Sequence, residues 1–165
     1  MTEPLSARAA ELIETLRLQP HPEGGHYREI YRAAETVRPD DGRPPRSAFT
    51  TIHFLLARGE FSAWHRVASS EAWHWYEGQE LELLVAPPDF DRVARVRLGP
   101  TTGQTRPSYT LPPHWWQAAR PLGSHALCGC NVGPGFDFAD FSFLRDQSLL
   151  VARLRALDPE AATLL

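Results

Sequence analysis

Two short stretches of the chain concentrate the side chains that do chemistry: GEFSAWHRVASSEAWHWYEG at residues 59–78 and LPPHWWQ at residues 111–117. The first holds His65 and Glu71. An imidazole gains or loses its charge near neutral pH, and a carboxylate beside it raises its pKa. A paired histidine and glutamate therefore suit general acid–base work. In that chemistry His65 abstracts a proton next to a carbonyl, Glu71 orients the imidazole, and a tyrosine such as Tyr27 returns a proton. Tyr27 lies with Glu29 in EGGHYREIY. Around this set, His53, Trp73, His74, Trp75 and Gln117 are candidates to contact a ligand.

These residues act together only if strands carry them into one cavity. Side chains alternate across a strand, so Phe61, Ala63, His65 and Val67 share one face. Glu71, Trp73 and Trp75 share a face of the next strand, beyond Ala68-Ser69-Ser70. With both faces turned inward, His65 and Glu71 meet in an aromatic-lined cavity, the usual form of a small-molecule site. A carboxylate pointing into a barrel is costly unless it finds a cation, a metal or donors. The bland alternative is a Glu71 that caps the strand turn in water. Alternation groups His53 with Phe49, Thr51 and Leu55, either lining the cavity or as a hydrogen-bonded core histidine. His74 has the opposite parity to Glu71 and needs a bulge to reach the cavity. Gln117 reads equally as a ligand or as a donor to substrate. Trp73, Trp75 and Trp116 read as core and pocket wall rather than a sugar-stacking platform, and Asp137 and Asp140 as turn and cap residues.

The elements that must position these groups follow from periodicity. Leu5, Ala9, Leu12, Ile13 and Leu16 recur at helical spacing behind a Ser6 cap, and Pro20 and Pro22 end the helix. A strand His26–Arg32 comes next, with Tyr27, Glu29 and Tyr31 on one face, and residues 38–46 form an exposed loop. Strands then crowd together: Ser47–Ala57, Glu60–Arg66, Ser70–Glu77, Gln79–Ala86, Asp91–Leu98, Arg106–Leu111, Trp115–Arg120 and Ser124–Val132. Each is bounded by Gly, Pro, Asp or Ser, the pattern of a sandwich or closed barrel. A last helix spans Asp146–Ala156, with Leu149, Leu150, Leu154 and Leu157 on one face. The reading is one all-β domain over residues 1–165 with short N- and C-terminal helices, and 15 Pro and 11 Gly suit its many turns.

Composition narrows the partners. A net charge of −3 gives neither nucleic acid nor an anionic membrane an electrostatic reason to bind. No apolar run approaches the ~20 residues of a membrane span, and the N-terminus has no secretory leader, so a cytoplasmic protein is expected. Cys128 and Cys130 read as reduced apolar residues, without the partners of a structural zinc. The free edge of the His26–Arg32 strand points to a homodimer.

The first stretch resembles the first motif of the cupin superfamily, which runs Gly, His-x-His, Glu and Gly at set intervals. Gly59, His65, Glu71 and Gly78 stand at those intervals, and Val67 takes the place of the second histidine. The second motif matches less well. Pro112 fits its proline, while His114 and Gln117 stand at its glycine and metal-ligand histidine positions. The order of LQPHPEGGHYREIYR, TTIHFLL, GEFSAWHR, SEAWHWYEG, LELLVAP, LPPHWWQ and CNVGPGFDFADF across residues 18–143 resembles the fifth cupin family, a group of small proteins without an agreed activity.

This resemblance implies a double-stranded β-helix, the jelly-roll cupin barrel of nucleotide-sugar epimerases and germin-like proteins, and leaves the reaction open. Three readings compete. The first is an isomerase or epimerase of a small polar metabolite, a sugar or hydroxy-acid derivative. The second is a metal-dependent enzyme in which His65, Glu71 and Gln117 hold a divalent ion, and the third a non-catalytic ligand-binding module. With Val67 and Gln117 at two of the usual ligand positions, no cofactor is expected, and a divalent metal would bind weakly.

Overall fold

The computed structural model describes residues 5–165. Helix α1 (Ala7–Leu16) begins where Ser6 Oγ accepts from the Ala9 amide at 3.2 Å and ends at Arg17 in the left-handed conformation. Thirteen strands follow in chain order: β1 (Gln19–Pro20), β2 (His26–Arg32), β3 (Thr36–Val37), β4 (Arg46–Ser47), β5 (Thr50–Ala57), β6 (Ser62–Val67) and β7 (Ser70–Gly78). Then come β8 (Leu81–Ala86), β9 (Ala94–Leu98), β10 (Ser108–Leu111), β11 (Trp116–Pro121), β12 (His125–Gly133) and β13 (Phe141–Phe143), and α2 (Ser148–Leu157) closes the set.

The strands form a six-stranded sheet in the order β1-β2-β5-β12-β7-β10 and a five-stranded sheet in the order β13-β6-β11-β8-β9, with β3-β4 as a separate ribbon. Neighbours are antiparallel throughout. Chain-distant neighbours such as β5 and β12 show the crossovers of a jelly roll, the fold the resemblance implies.

Three apolar layers explain why several strands are buried on both faces. Between the sheets, Phe54, Leu56, Trp73, Leu83, Val85 and Cys128 interdigitate. On the outside of the large sheet, Leu55, Ala57 and Leu127 pack under Ala9 and Leu12 of α1. On the outside of the small sheet, Trp64, Leu84 and Trp116 meet Leu144 and Leu154, which α2 and the turn before it supply. Each fully buried Leu or Phe here contributes roughly 1.5–3 kcal/mol of transfer free energy. The two helices thus cover sheet faces and leave one end of the barrel open.

Three details depart from simple periodicity. In β2 the register shifts between Glu29 and Tyr31. The extra residue, Ile30, turns Tyr31 outward to 54% exposure and brings Arg32 to the inner face. In α2, Leu150 and Leu154 pack inward, but Leu149 is 85% exposed and Leu157 half-exposed. Asp137 caps the turn Phe138–Asp140 as expected, whereas Asp140 pairs with Arg43 and Arg46 at 2.8 and 2.9 Å and pins the 38–46 loop to the barrel.

Candidate functional site

A cavity of about 500 Å³ opens at the end of the barrel where β2, β5, β6, β7 and β12 meet the segment 136–141. Its deep end is built from a turn and two strands. The turn between α1 and β2 carries His21-Pro22-Glu23 and folds back through Gly24 and Gly25, both at positive φ (112° and 71°). Gly24 lies flat against the backbone of Phe61 and Ser62, where any Cβ would collide with the Phe61 carbonyl oxygen. That approach delivers Glu23 to β6.

Glu23 is buried, and its Oε1 accepts from the Ser62 hydroxyl at 2.7 Å. Its Oε2 lies 3.2 Å from His65 Nε2. The other ring nitrogen of His65, Nδ1, is 2.8 Å from the Ala63 carbonyl oxygen. A carbonyl accepts only, so Nδ1 carries the hydrogen and Nε2 of a neutral ring has a lone pair aimed at Glu23. Burial pushes the His65 pKa down, against the opposing pull of Glu71 and of the Ala63 bond. Burial pushes Glu23 up to about 8, against the Ser62 bond. The consistent arrangement is a carboxylic acid donating to a neutral imidazole, one proton held between them. His21 completes this corner: its Nδ1 accepts from the Glu23 amide at 3.2 Å, and burial, with His65 nearby, lowers its pKa to about 4.

Glu71 enters from β7. Gln117 Nε2 donates to Glu71 Oε2 at 2.6 Å, and Gln117 Oε1 accepts from Trp73 Nε1 at 2.7 Å. This chain fixes the carboxyl in place and spends both ends of the Gln117 amide on protein groups. Burial pushes Glu71 up to about 7. Electrostatic interaction with His65 opposes that shift, Glu23 adds to it, and the bonds from Gln117 and Cys130 oppose it. The two buried carboxyls are thus held by hydroxyl, amide and thiol donors and by no guanidinium.

Both carboxyls keep their protons to higher pH in the folded chain than in the unfolded one, where the ordinary value is 4.5. The native state therefore binds more protons between about pH 5 and pH 8, and stability should fall as pH rises through that window. Glu23→Gln retains an acceptor for Ser62 and removes one of the two titrations. The variant should be more stable than the parent at pH 8 by on the order of 2 kcal/mol, and nearly equal to it at pH 5. Urea unfolding at both values checks this; parallel pH profiles for the two proteins would show that Glu23 is ionised in the fold.

At the cavity mouth, Arg32 makes two bonds to Glu29, at 2.9 and 2.8 Å, and a third to the Phe136 carbonyl at 3.0 Å. Rings form an arc along the wall. Phe141 stacks on His65 at 5.2 Å, Phe138 packs on Phe136 at 4.9 Å, and Tyr27 meets His21 edge-on at 4.4 Å.

The sequence from residue 10 to 144 matches the family model described as Cupin superfamily (DUF985), which is most of the chain. The chain belongs to the cupin superfamily. A hypothetical protein from Leishmania major has a similar structure, with a TM-score of 0.80, 31% identity, and 94% of this chain and 96% of that one covered. A Shewanella oneidensis protein superposes at a TM-score of 0.78 with 30% identity, covering 94% of this chain and 92% of that one. A cupin 2 domain-containing protein from Halorhodospira halophila shares the fold alone, at 0.56 and 20% identity over 89% and 86% of the two chains. No curated protein matches in sequence.

In this cupin the structure brings His65, Glu71, Tyr27 and Glu29 to one cavity. It corrects other expectations. The carboxyl on the His65 imidazole is Glu23, and its ring is oriented by Ala63 rather than by Glu71. His53 faces outward, because Thr50, Ile52 and Phe54 are the inward residues of β5. It meets the Tyr76 ring edge-on at 6.2 Å over Gly129, whose missing side chain makes room for that ring. His74 lies on the same outer face, with Nε2 at 3.1 Å from the Asn131 amide. Trp73 is core, and Trp75 packs beside it with Nε1 donating to the Gln79 carbonyl, so neither lines the cavity.

Metal-binding cupins use the positions of Val67 and Gln117 for histidines, and the donor set here does not fit that use. Val67 offers no donor, Gln117 is engaged at both ends, and His65 Nε2 faces Glu23. Among the described residues, no group of three or more His, Cys, Asp or Glu side chains converges to hold an ion. No helix among them is long and apolar enough to cross a membrane.

His21, Glu23 and Arg32 are site residues that strand alternation does not find. The signal for Glu23 is the acid followed by Gly24-Gly25, a doublet suited to a tight turn. The signal for Arg32 would be the bulge at Ile30, which no residue type in β2 announces.

Proposed function

We propose that this cupin is a proton-transfer enzyme of the isomerase or epimerase type, acting on a small polar metabolite without a resident metal. The observation that carries the reading is the pairing of Glu71 with the Glu23–His65 couple, all three buried, in one cavity. Glu71, near neutrality in pKa, is matched to abstracting a proton from carbon next to a carbonyl. The couple of Glu23 and His65 holds one proton and is placed to give it to the developing enolate oxygen and take it back on collapse. Return of a proton to the other face, or to the neighbouring carbon, yields the isomer. Tyr27 lines the same cavity and is the candidate to return that proton. A homodimer formed along the β2 edge is the assembly that suits this barrel, since β1 covers only Tyr27 and His26 of that strand.

Solvent exchange tests the reading. EDTA-treated protein is incubated in deuterium oxide with a panel of hydroxy-ketones, amino-ketones and keto-sugars, and mass spectrometry reads deuterium entering the carbon next to the carbonyl. The expected result is exchange in at least one compound. Exchange in none, or only after a divalent ion is added back, would refute it.

A further inference from the structure

The cavity has an electrostatic character that its catalytic groups alone do not require. Four carboxyl groups line it, from Glu23, Glu29, Glu71 and Asp137, against one guanidinium, Arg32. Glu29 neutralises Arg32 through both oxygens. Asp137 is spent on the Ala139 amide at 2.8 Å. Glu23 and Glu71 remain, each more than nine-tenths buried and turned into the cavity with no cationic side chain bonded to either. The second feature is aromatic. Tyr27, His21, Phe138, Phe136 and Phe141 follow one another around the wall at ring separations from 4.4 to 6.5 Å. Ring faces attract cations, and carboxylates without a counter-charge attract them more strongly.

We infer that the ligand of this cavity is an organic cation, a small polyol or carbonyl compound carrying a protonated amine. The inference rests on the proton-transfer reading of the same site and narrows its substrate class. It disfavours an anionic hydroxy acid, which would enter a pocket with acidic walls whose one guanidinium is already paired. An ammonium group supplies the positive charge that the fold withholds from Glu23 and Glu71. Its arrival favours their ionised forms, so Glu71 becomes a carboxylate, and a base, when substrate is bound. The ring arc receives the carbon skeleton or the ammonium face, and the donors already on the two carboxyls keep them in position.

Three six-carbon polyols of matched size and different charge make the test: glucamine, sorbitol and gluconate, each titrated calorimetrically at neutral pH. Glucamine is expected to bind about tenfold or more tighter than sorbitol, the size of a charge-assisted hydrogen bond, with gluconate weakest. Glu71→Gln, which keeps the side-chain shape, should erase most of the preference for glucamine, and Glu23→Gln part of it. The comparison within the parent protein needs no variant, so misfolding of either substitution leaves it intact. Equal binding of all three, tighter binding of gluconate, or binding of none would overturn the inference. Any of those results alongside deuterium exchange would leave the proton-transfer reading standing. Selective glucamine binding without exchange would do the reverse.

Discussion

Glu71→Gln should lower turnover about 10³-fold, within the usual range for losing a general base, while leaving the unfolding transition at neutral pH in place. The amide is nearly isosteric with the carboxyl it replaces. Its carbonyl oxygen can still accept from Gln117, and the Trp73–Gln117 bond is untouched. What disappears is the proton acceptor with a pKa near 7. Deuterium exchange and circular dichroism on the same sample separate the two effects. A variant that keeps parental exchange would move the base to His65 or Glu23. One that loses its cooperative unfolding would make Glu71 a structural residue.

The second large effect is expected at a residue that touches no substrate. Gly24→Ala should destabilise the fold by roughly 3 kcal/mol or more and abolish exchange with it. Two causes add. The backbone stands at φ 112°, a conformation that L residues rarely adopt, and the new Cβ would run into the Phe61 carbonyl oxygen. Relief of that clash lifts the His21–Glu23 turn from β6 and takes Glu23 away from Ser62 and His65. Gly59→Ala is the control. It has a similarly positive φ of 81°, but its Cβ would meet nothing within 4 Å, so only the conformational cost applies, about 1 kcal/mol. Chemical denaturation of the two variants side by side measures the difference. Equal losses would mean that the close approach at Gly24 contributes nothing.

The contrast between these glycines also shows what can be read in the sequence. An all-β sandwich or barrel, the helical ends and the inward parity of β6 and β7 follow from alternation and turn residues. The jelly roll follows from the family resemblance, and together they suffice to bring His65 and Glu71 into one cavity. Tyr27 and Glu29 are legible for the same reason. The failures come where the period of two is broken, masked or absent. In β5 the inward set is Thr50, Ile52 and Phe54, because α1 buries the other face as well and makes both parities apolar, which hides the outward placement of His53. In β2 one inserted residue exchanges Tyr31 for Arg32. Glu23 lies on a turn, where no periodicity operates and only the backbone path decides which side chain enters the barrel. Gln117 reads as an interior residue and is one, but its partners Trp73 and Glu71 come from another strand and cannot be read locally.

Everything proposed for the chemistry depends on Glu23 holding a proton at neutral pH inside the cavity and on Glu71 exchanging one close to neutrality. Carbon-13 NMR of protein labelled at the glutamate carboxyl carbons, titrated between acid and mildly alkaline pH, observes those protons directly. Substitution to glutamine assigns the two signals. Two carboxyls are expected to titrate as a coupled pair with apparent midpoints near 7 and 8, far above the ordinary glutamate value of 4.5. If both signals instead report ionised carboxylates down to pH 5, the Glu23–His65 couple has no carboxyl proton to give and Glu71 is too weak a base for the proposed step.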